Sequence, residues 1–254
     1  MSSNDNPLYL DFWPIVSKLW KLKFNIEPVL LYFGPNHNNI STEYGTVVNM
    51  EILDGIPIST QAQCSRLWYL GQLKDTDISI TSDIDMLPLS KKYFIESIEP
   101  ISNNKLVNLN PIVTNSIHLP ICYNIGSSLT FKKILNLDIS WSDFMNRLID
   151  WSKTTECKDY HGVGILWSLD ETWSTNQIIN YEKENKGSIE LILRPNGTNG
   201  FRIDRPNWRY NKSLLKDDYY YDAHSVRPYS QYKQTIDEII ETSIKELQGE
   251  CNER

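Results

Sequence analysis

The sequence predicts an α/β fold, and three observations carry that expectation. The continuous apolar run Pro28-Val29-Leu30-Leu31-Tyr32-Phe33-Gly34 reads as a buried strand, closed by the turn-forming Gly34-Pro35. The segment from Thr60 to Leu73 carries Leu67, Trp68, Leu70 and Leu73 as an apolar stripe at helical spacing, with Thr60 as its candidate N-cap. Directly after it, Ile78 and Ile80 alternate with Ser79 and Thr81, which is the period of a strand. A chain of 254 residues is long enough for one large domain or two small ones. No stretch reads as a linker, so a single domain over residues 1–254 is expected.

The remaining elements follow in order. Tyr9 to Trp20 has helix-like apolar intervals, with Asp11 near its start and Pro14 placed for a first turn. Tyr44 to Leu53 alternates as a second strand, and Asp54-Gly55-Ile56-Pro57 is a turn. Tyr93 to Asn115 contains Pro100, Pro111 and many Asn, which predicts irregular or short-stranded structure. Ile121 to Ser127 reads as a strand ending in a small-residue loop, and a helix begins near Phe131. Trp141 to Trp151 is strongly amphipathic, with Ser140 or Asp138 as its cap. Gln234 to Leu247 spaces Ile236, Ile239, Ile240, Ile244 and Leu247 as a C-terminal helix, and Tyr229 to Tyr232 before it reads as a closing loop.

Charge and cysteine content narrow the function classes. A net charge of -7 argues against a broad basic face for a nucleic-acid backbone, so no nucleic-acid partner is expected. Cys64, Cys122, Cys157 and Cys251 are far apart and form no Cys-x-x-Cys pair, which points to reduced thiols rather than a zinc cluster or disulfide framework. The first residues lack a basic start followed by an apolar run, and no window reaches the length of a membrane span. A soluble, cytoplasmic protein is the expectation, and the sequons at Asn39, Asn196 and Asn211 are then coincidental.

The most informative stretch is Ile78 to Ser90, which delivers two carboxylates at the end of a strand. In an extended segment Asp83 and Asp85 share one face while Ile84 and Met86 point the other way, and Pro88 stops a central strand from continuing. Two carboxylates on one face repel each other. A hard divalent cation removes that repulsion, and Mg²⁺ or Mn²⁺ typically takes one or two carboxylates together with phosphate oxygens. A polar turn capping a strand also explains a bare Asp-x-Asp. Other candidates open similar alternatives. Tyr32, Phe33 and Gly34 sit at the carboxyl end of a strand, where open α/β sheets bind ligands, and equally suit a plain core strand. Asp170 and Glu171, between a Gly-containing segment starting at His161 and a helix, are either acid/base groups or favourable charges on a helix N-terminus.

The order of a helix bearing Arg66, a strand, Asp83-Ile84-Asp85, a short turn and Lys91-Lys92-Tyr93-Phe94 resembles the nucleotide-sugar glycosyltransferases of the GT-A fold. In particular it is similar to the small glycosyltransferase domain of large algal (chlorella) viruses, over most of the chain. The resemblance implies a Rossmann-like, mainly parallel central sheet flanked by helices. Residues 1–100 would form the nucleotide-sugar half and 101–254 the acceptor half with the C-terminal helix. It implies a Mn²⁺ or Mg²⁺ ion on Asp83, Asp85 and His224, and a donor, UDP-sugar favoured, on Tyr32, Phe33, Gly34, Arg66, Asp83, Ile84, Asp85 and Arg227. Arg66 would be either a donor contact or an ordinary salt bridge, and Arg205 would help Arg227 screen the diphosphate. Asp170 and Glu171 would serve a hydroxyl of a glycan or glycoprotein acceptor, in a host cytoplasm if the chain is viral. Asn176-Gln177 departs from the Asp-Gln pair of several such families, which leaves any acidic role there to Asp170 or Glu171. The competing classes are a non-catalytic sugar-binding protein and a nucleotidyltransferase; for the latter, Gly71-Gln72 is a poor Gly-Ser turn.

Overall fold

The computed structural model describes residues 1–35, 37–113, 117–154, 157, 164–193 and 201–250, the side chains of 113 and 245–250 excepted. His161, Asn196 and Cys251 of the sequence reading lie outside these residues, as does the side chain of Leu247. The chain opens with β1 (Ser2–Asn4), α1 (Pro7–Leu10) and α2 (Trp13–Phe24), so the first expected helix is two, with Pro14 in the first turn of the second. Next come β2 (Val29–Phe33), β3 (Thr46–Asn49) and α3 (Ile58–Leu70). Helix α3 starts earlier than expected, after Pro57, and Thr60 is buried with its hydroxyl donating to Leu166 O at 3.3 Å rather than capping. Strands β4 (Ile78–Ile80) and β5 (Met86–Pro88) flank the acidic pair.

A π-helical turn at Lys92–Glu96 leads to β6 (Leu106–Asn108), β7 (Ile112–Val113), β8 (Ile117–His118) and β9 (Asn124–Ser127). No loop follows β9, because Ser127 is at once its last residue and the N-cap of α4 (Ser128–Leu135). Helix α5 (Trp141–Ser152) is capped by Ser140, whose Oγ accepts from Asp143 N at 3.1 Å. The chain continues through α6 (Leu169–Glu184), β10 (Ile189–Leu191), β11 (Arg202–Asp204), α7 (Lys212–Lys216), β12 (Asp222–His224) and α8 (Tyr229–Glu250). Tyr229 to Tyr232 is therefore the first turn of α8 and not a loop. Among the described residues no helix is long and apolar enough to cross a membrane.

The architecture is mixed α/β, and the expectation of a mainly parallel sheet is corrected. One sheet, in the order β1-β2-β3, is wholly parallel. A second, β10-β6-β9-β4, is parallel only between β10 and β6; β9 runs antiparallel to both β6 and β4. A third, β11-β12-β5, pairs β12 parallel with β11 and antiparallel with β5, and β7 and β8 form an antiparallel pair. A hydrophobic run records that a strand is buried and not the direction of its neighbour. Strand β4 is moreover an edge strand, with Ile78 50% exposed, rather than a fully buried one.

Two hydrophobic cores lie on opposite faces of the sheets. In β2 the period-two alternation divides them: Leu30 and Tyr32 join one core with Trp13, Trp20, Phe94 and the α8 residues Ile236, Ile239 and Ile240. Leu31 and Phe33 join the other with Leu67, Phe131, Trp141, Phe144, Leu148 and Trp173, from α3 to α6. Cys64, Cys122 and Cys157 are buried within this framework. The consequence for function is positional. The acidic turn emerges where β4 leaves one sheet and β5 enters another, with α3 and the start of α6 packed beside it.

Candidate functional site

The turn between β4 and β5 is fixed at both ends by backbone bonds. Tyr123 N donates to Thr81 O at 2.6 Å on the β9 side, and Ser225 N donates to Asp85 O at 2.9 Å on the β12 side. Met86 N donates to Asp83 O at 3.3 Å and closes the turn between them. Ile84 anchors the turn by burying its side chain in the first core, while the two carboxylates separate: Asp83 keeps 36% of its side chain exposed and Asp85 only 6%.

Each carboxylate meets its own cation. Arg66, on the inner face of α3, is ion-paired with Asp83 through Nη1 and lies 3.0 Å from Asp170 Oδ2 through Nη2. Burial pulls the Arg66 pKa down, but Asp83 and Asp170 outweigh it, so the guanidinium is held more firmly charged than usual. Asp85 Oδ2 lies 2.8 Å from Arg205 Nη2, 3.8 Å from Arg227 Nε and 3.8 Å from His224 Nε2. Arg227 is seated over the Tyr9 ring, 4.6 Å from its centroid. Burial lowers the His224 pKa, with Arg205 and Arg202 acting in the same direction against Asp85 and Asp204, so the imidazole is neutral at neutral pH.

Helix α6 supplies the opposite wall with the carboxylates of its first turn, Asp170 and Glu171. Asp170 is 2% exposed, and burial, with Glu171 and Asp83 nearby, raises its carboxyl to about 6 against the pull of Arg66. Glu171 keeps 16% of its side chain exposed; His118 Nε2 lies 3.3 Å from its Oε2, and Ile121 N donates to its Oε1 at 3.3 Å.

Most of these groups line one cleft of about 520 Å³, with His118, Arg202 and Asp204 behind its wall-forming residues rather than in its lining. It gathers Arg66, Asp83, Ile84, Asp85, Asp170, Glu171, His224 and Arg227, residues spread over more than half of the sequence. Tyr32, Phe33 and Gly34 are not among its lining. Tyr32 and Phe33 are core side chains on opposite faces of β2, and a Cβ on Gly34 would lie 2.1 Å from the Tyr32 hydroxyl, so that glycine admits the ring. Asn176 is on α6, where its Oδ1 accepts from Asn180, and it does not line the cleft. The sequence reading missed Ser2, Ser3 and Asn4 of β1, Gln63, His118, Ile121, Trp167 and Asp204. Gln63, one turn from Arg66 on α3, had a legible helical signal; His118 and Asp204 had none.

The donors suit a divalent cation held by Asp85 and His224. An imidazole lone pair and a carboxylate oxygen face one another there, a reasonable mixed set for Mn²⁺. Among the described residues no three His, Cys, Asp or Glu side chains converge as a metal group. Such an ion would draw its other ligands from phosphate oxygens and water, as Mg²⁺ and Mn²⁺ commonly do. Asp83, turned to Arg66, supports the turn rather than pointing with Asp85. Comparison of the chain with protein-family models, curated proteins and solved structures found no match.

Proposed function

We propose that the cleft binds a nucleoside-diphosphate sugar, UDP-sugar favoured, and transfers its sugar to a hydroxyl of a glycan or glycoprotein acceptor. The observation that supports this reading is the charge pattern of the cleft. Three arginines, Arg66, Arg205 and Arg227, face four carboxylates, Asp83, Asp85, Asp170 and Glu171, so the cleft without an added cation is not positive enough to attract a diphosphate strongly. A divalent ion, when bound, would offset that deficit and stabilise the negative charge that develops on the departing diphosphate.

The chain's own residues divide the remaining work. Arg227, held by Tyr9, reaches the diphosphate side of the cleft and screens it. Asp170 acts through Arg66: buried and paired, it positions the guanidinium that holds Asp83. Glu171 is the carboxylate that meets the acceptor hydroxyl. It is the more exposed of the two, and its oxygens are oriented by His118 and the Ile121 amide.

The test is release of nucleoside diphosphate from a panel of UDP-, GDP- and dTDP-sugars, with and without Mn²⁺ and acceptor sugars. Metal-dependent release is expected for one nucleotide family, with Asp85→Ala lowering the rate by about 10²- to 10³-fold. Glu171→Gln is expected to lower acceptor-dependent transfer by about 10²-fold or more while slow donor hydrolysis persists. Binding without release would make the protein a sugar-nucleotide binder. Pyrophosphate release from a nucleoside triphosphate would make it a nucleotidyltransferase.

A further inference from the structure

We infer that Arg205 is the resident cation of the Asp85–His224 pair, displaced when a divalent ion arrives with a diphosphate, and that Asp204 fixes His224 in the tautomer that receives that ion. This rests on the proposed donor reading of the cleft. The parallel pairing of β11 with β12 sets Asp204 beside His224. Asp204 Oδ1 accepts the Arg205 backbone N–H at 2.8 Å and lies 3.1 Å from His224 Nδ1. A carboxylate only accepts, so Nδ1 carries the imidazole proton and the lone pair is on Nε2.

That lone pair faces the Arg205 guanidinium, whose Nη2 contacts His224 Nε2 and also lies 2.8 Å from Asp85 Oδ2. A guanidinium has donors and no acceptor, so the contact requires an unprotonated Nε2. One nitrogen of Arg205 thus stands between the two prospective ligands, where a cation shared by both would sit. Two cations do not share that space without strong repulsion.

The mounting of Arg205 suits an exchangeable side chain. It sits at the start of a tight turn, where Asn207 N donates to Asp204 O at 2.9 Å, beyond the end of β11, so its side chain can swing without disturbing a strand pair. Among the described residues its Nε, although buried, has no hydrogen-bond partner, so its planar fork is only half used. Phosphate oxygens complete such a fork bidentately. Displacing Arg205 from Asp85 is therefore unfavourable with a metal ion alone. A diphosphate offsets that cost by giving the guanidinium a new anionic partner, so metal and nucleotide each raise the affinity for the other.

The experiment measures free Mn²⁺ by its paramagnetic resonance signal during titration of the full chain, with and without UDP. Wild type is expected to bind Mn²⁺ weakly alone and about tenfold or more tightly with UDP. Arg205→Gln is expected to bind Mn²⁺ alone about tenfold more tightly than wild type and to keep only the part of the gain from UDP that phosphate oxygens on the ion supply directly. Asp204→Ala, with folding checked by circular dichroism, is expected to weaken Mn²⁺ binding in the presence of UDP. If wild type binds Mn²⁺ with UDP but Arg205→Gln without UDP binds it no more tightly than wild type, the inference falls and the donor reading stands. If wild type binds no Mn²⁺ even with UDP, both fall.

Discussion

Asp170 carries a tension that its ion pair does not remove. Its carboxyl is raised from 3.8 to about 6 by burial first, so between those values the folded state holds a proton that the unfolded chain has released. Stability from this group is present below about pH 4 and is lost as pH rises through about 6. Asp170→Asn cannot titrate. Urea unfolding of both proteins across this range should therefore show the variant gaining about 3 kcal/mol on wild type between pH 4 and pH 7. A difference that stays constant with pH would contradict the raised carboxyl. The residues of this site divide by how locally they are specified. Asp83, Asp85, Asp170 and Glu171 were legible because each pair is defined within a few residues and lies beside a readable strand or helix. His118 and Asp204 were not, because their partners Glu171 and His224 are brought to them by strand and helix packing across long stretches of chain. Tyr32 and Phe33 left two readings open for a related reason: a strand end and a core strand share one sequence pattern, and the packing of these side chains into cores on both faces of β2 is what the pattern does not announce.

Elements follow similar logic one level up. Helix α5 was legible nearly to the residue, since its apolar face and the Ser140 cap are both local signals. Helix α3 was legible as a helix but not at its start, because Pro57 initiates it before Thr60, whose hydroxyl is used for a contact outside the helix. Its other end is set by packing. Gly71 follows α3 with an ordinary negative φ, yet a Cβ there would stand 2.4 Å from Leu137 Cβ. Gly71→Ala should accordingly destabilise the protein by about 1–3 kcal/mol through overpacking, not through backbone strain. Thermal unfolding of this variant beside Gly55→Ala, where φ is +78° and no atom stands near the added methyl, would separate the two causes. A double-mutant cycle with Leu137→Gly, the change that removes the opposing Cβ, should shrink the cost of Gly71→Ala and identify the clash as the source. Strand direction was the least legible feature at this scale. Strands of three or four residues, such as β4 and β9, form antiparallel pairs that no short apolar run announces.

For the whole molecule, a net charge of -7 coexists with a cleft where three arginines meet four carboxylates, so recognition of an anion is local and not a property of the surface at large. Mass action then makes a distinct demand on thermal stability. UDP and Mn²⁺ supplied together at about 100 times their joint dissociation constant should add about 2.7 kcal/mol, a rise in Tm of roughly 5–10 °C. Either ligand alone should give much less, and an equal response to Mn²⁺ alone would argue against a cleft that takes both together.

The acidic turn lies at the seam where the chain passes from the sheet of β4 to the sheet of β5, and its two carboxylates are moored to different bodies. Asp83 is tied through Arg66 to α3, and Asp85 through Arg205 to the end of β11. A ligand seated between them acts as a staple across that seam. Amide exchange in β4, β9, β5 and β12 should then slow in concert when the cleft is filled, with the two sheets opening as one unit instead of two.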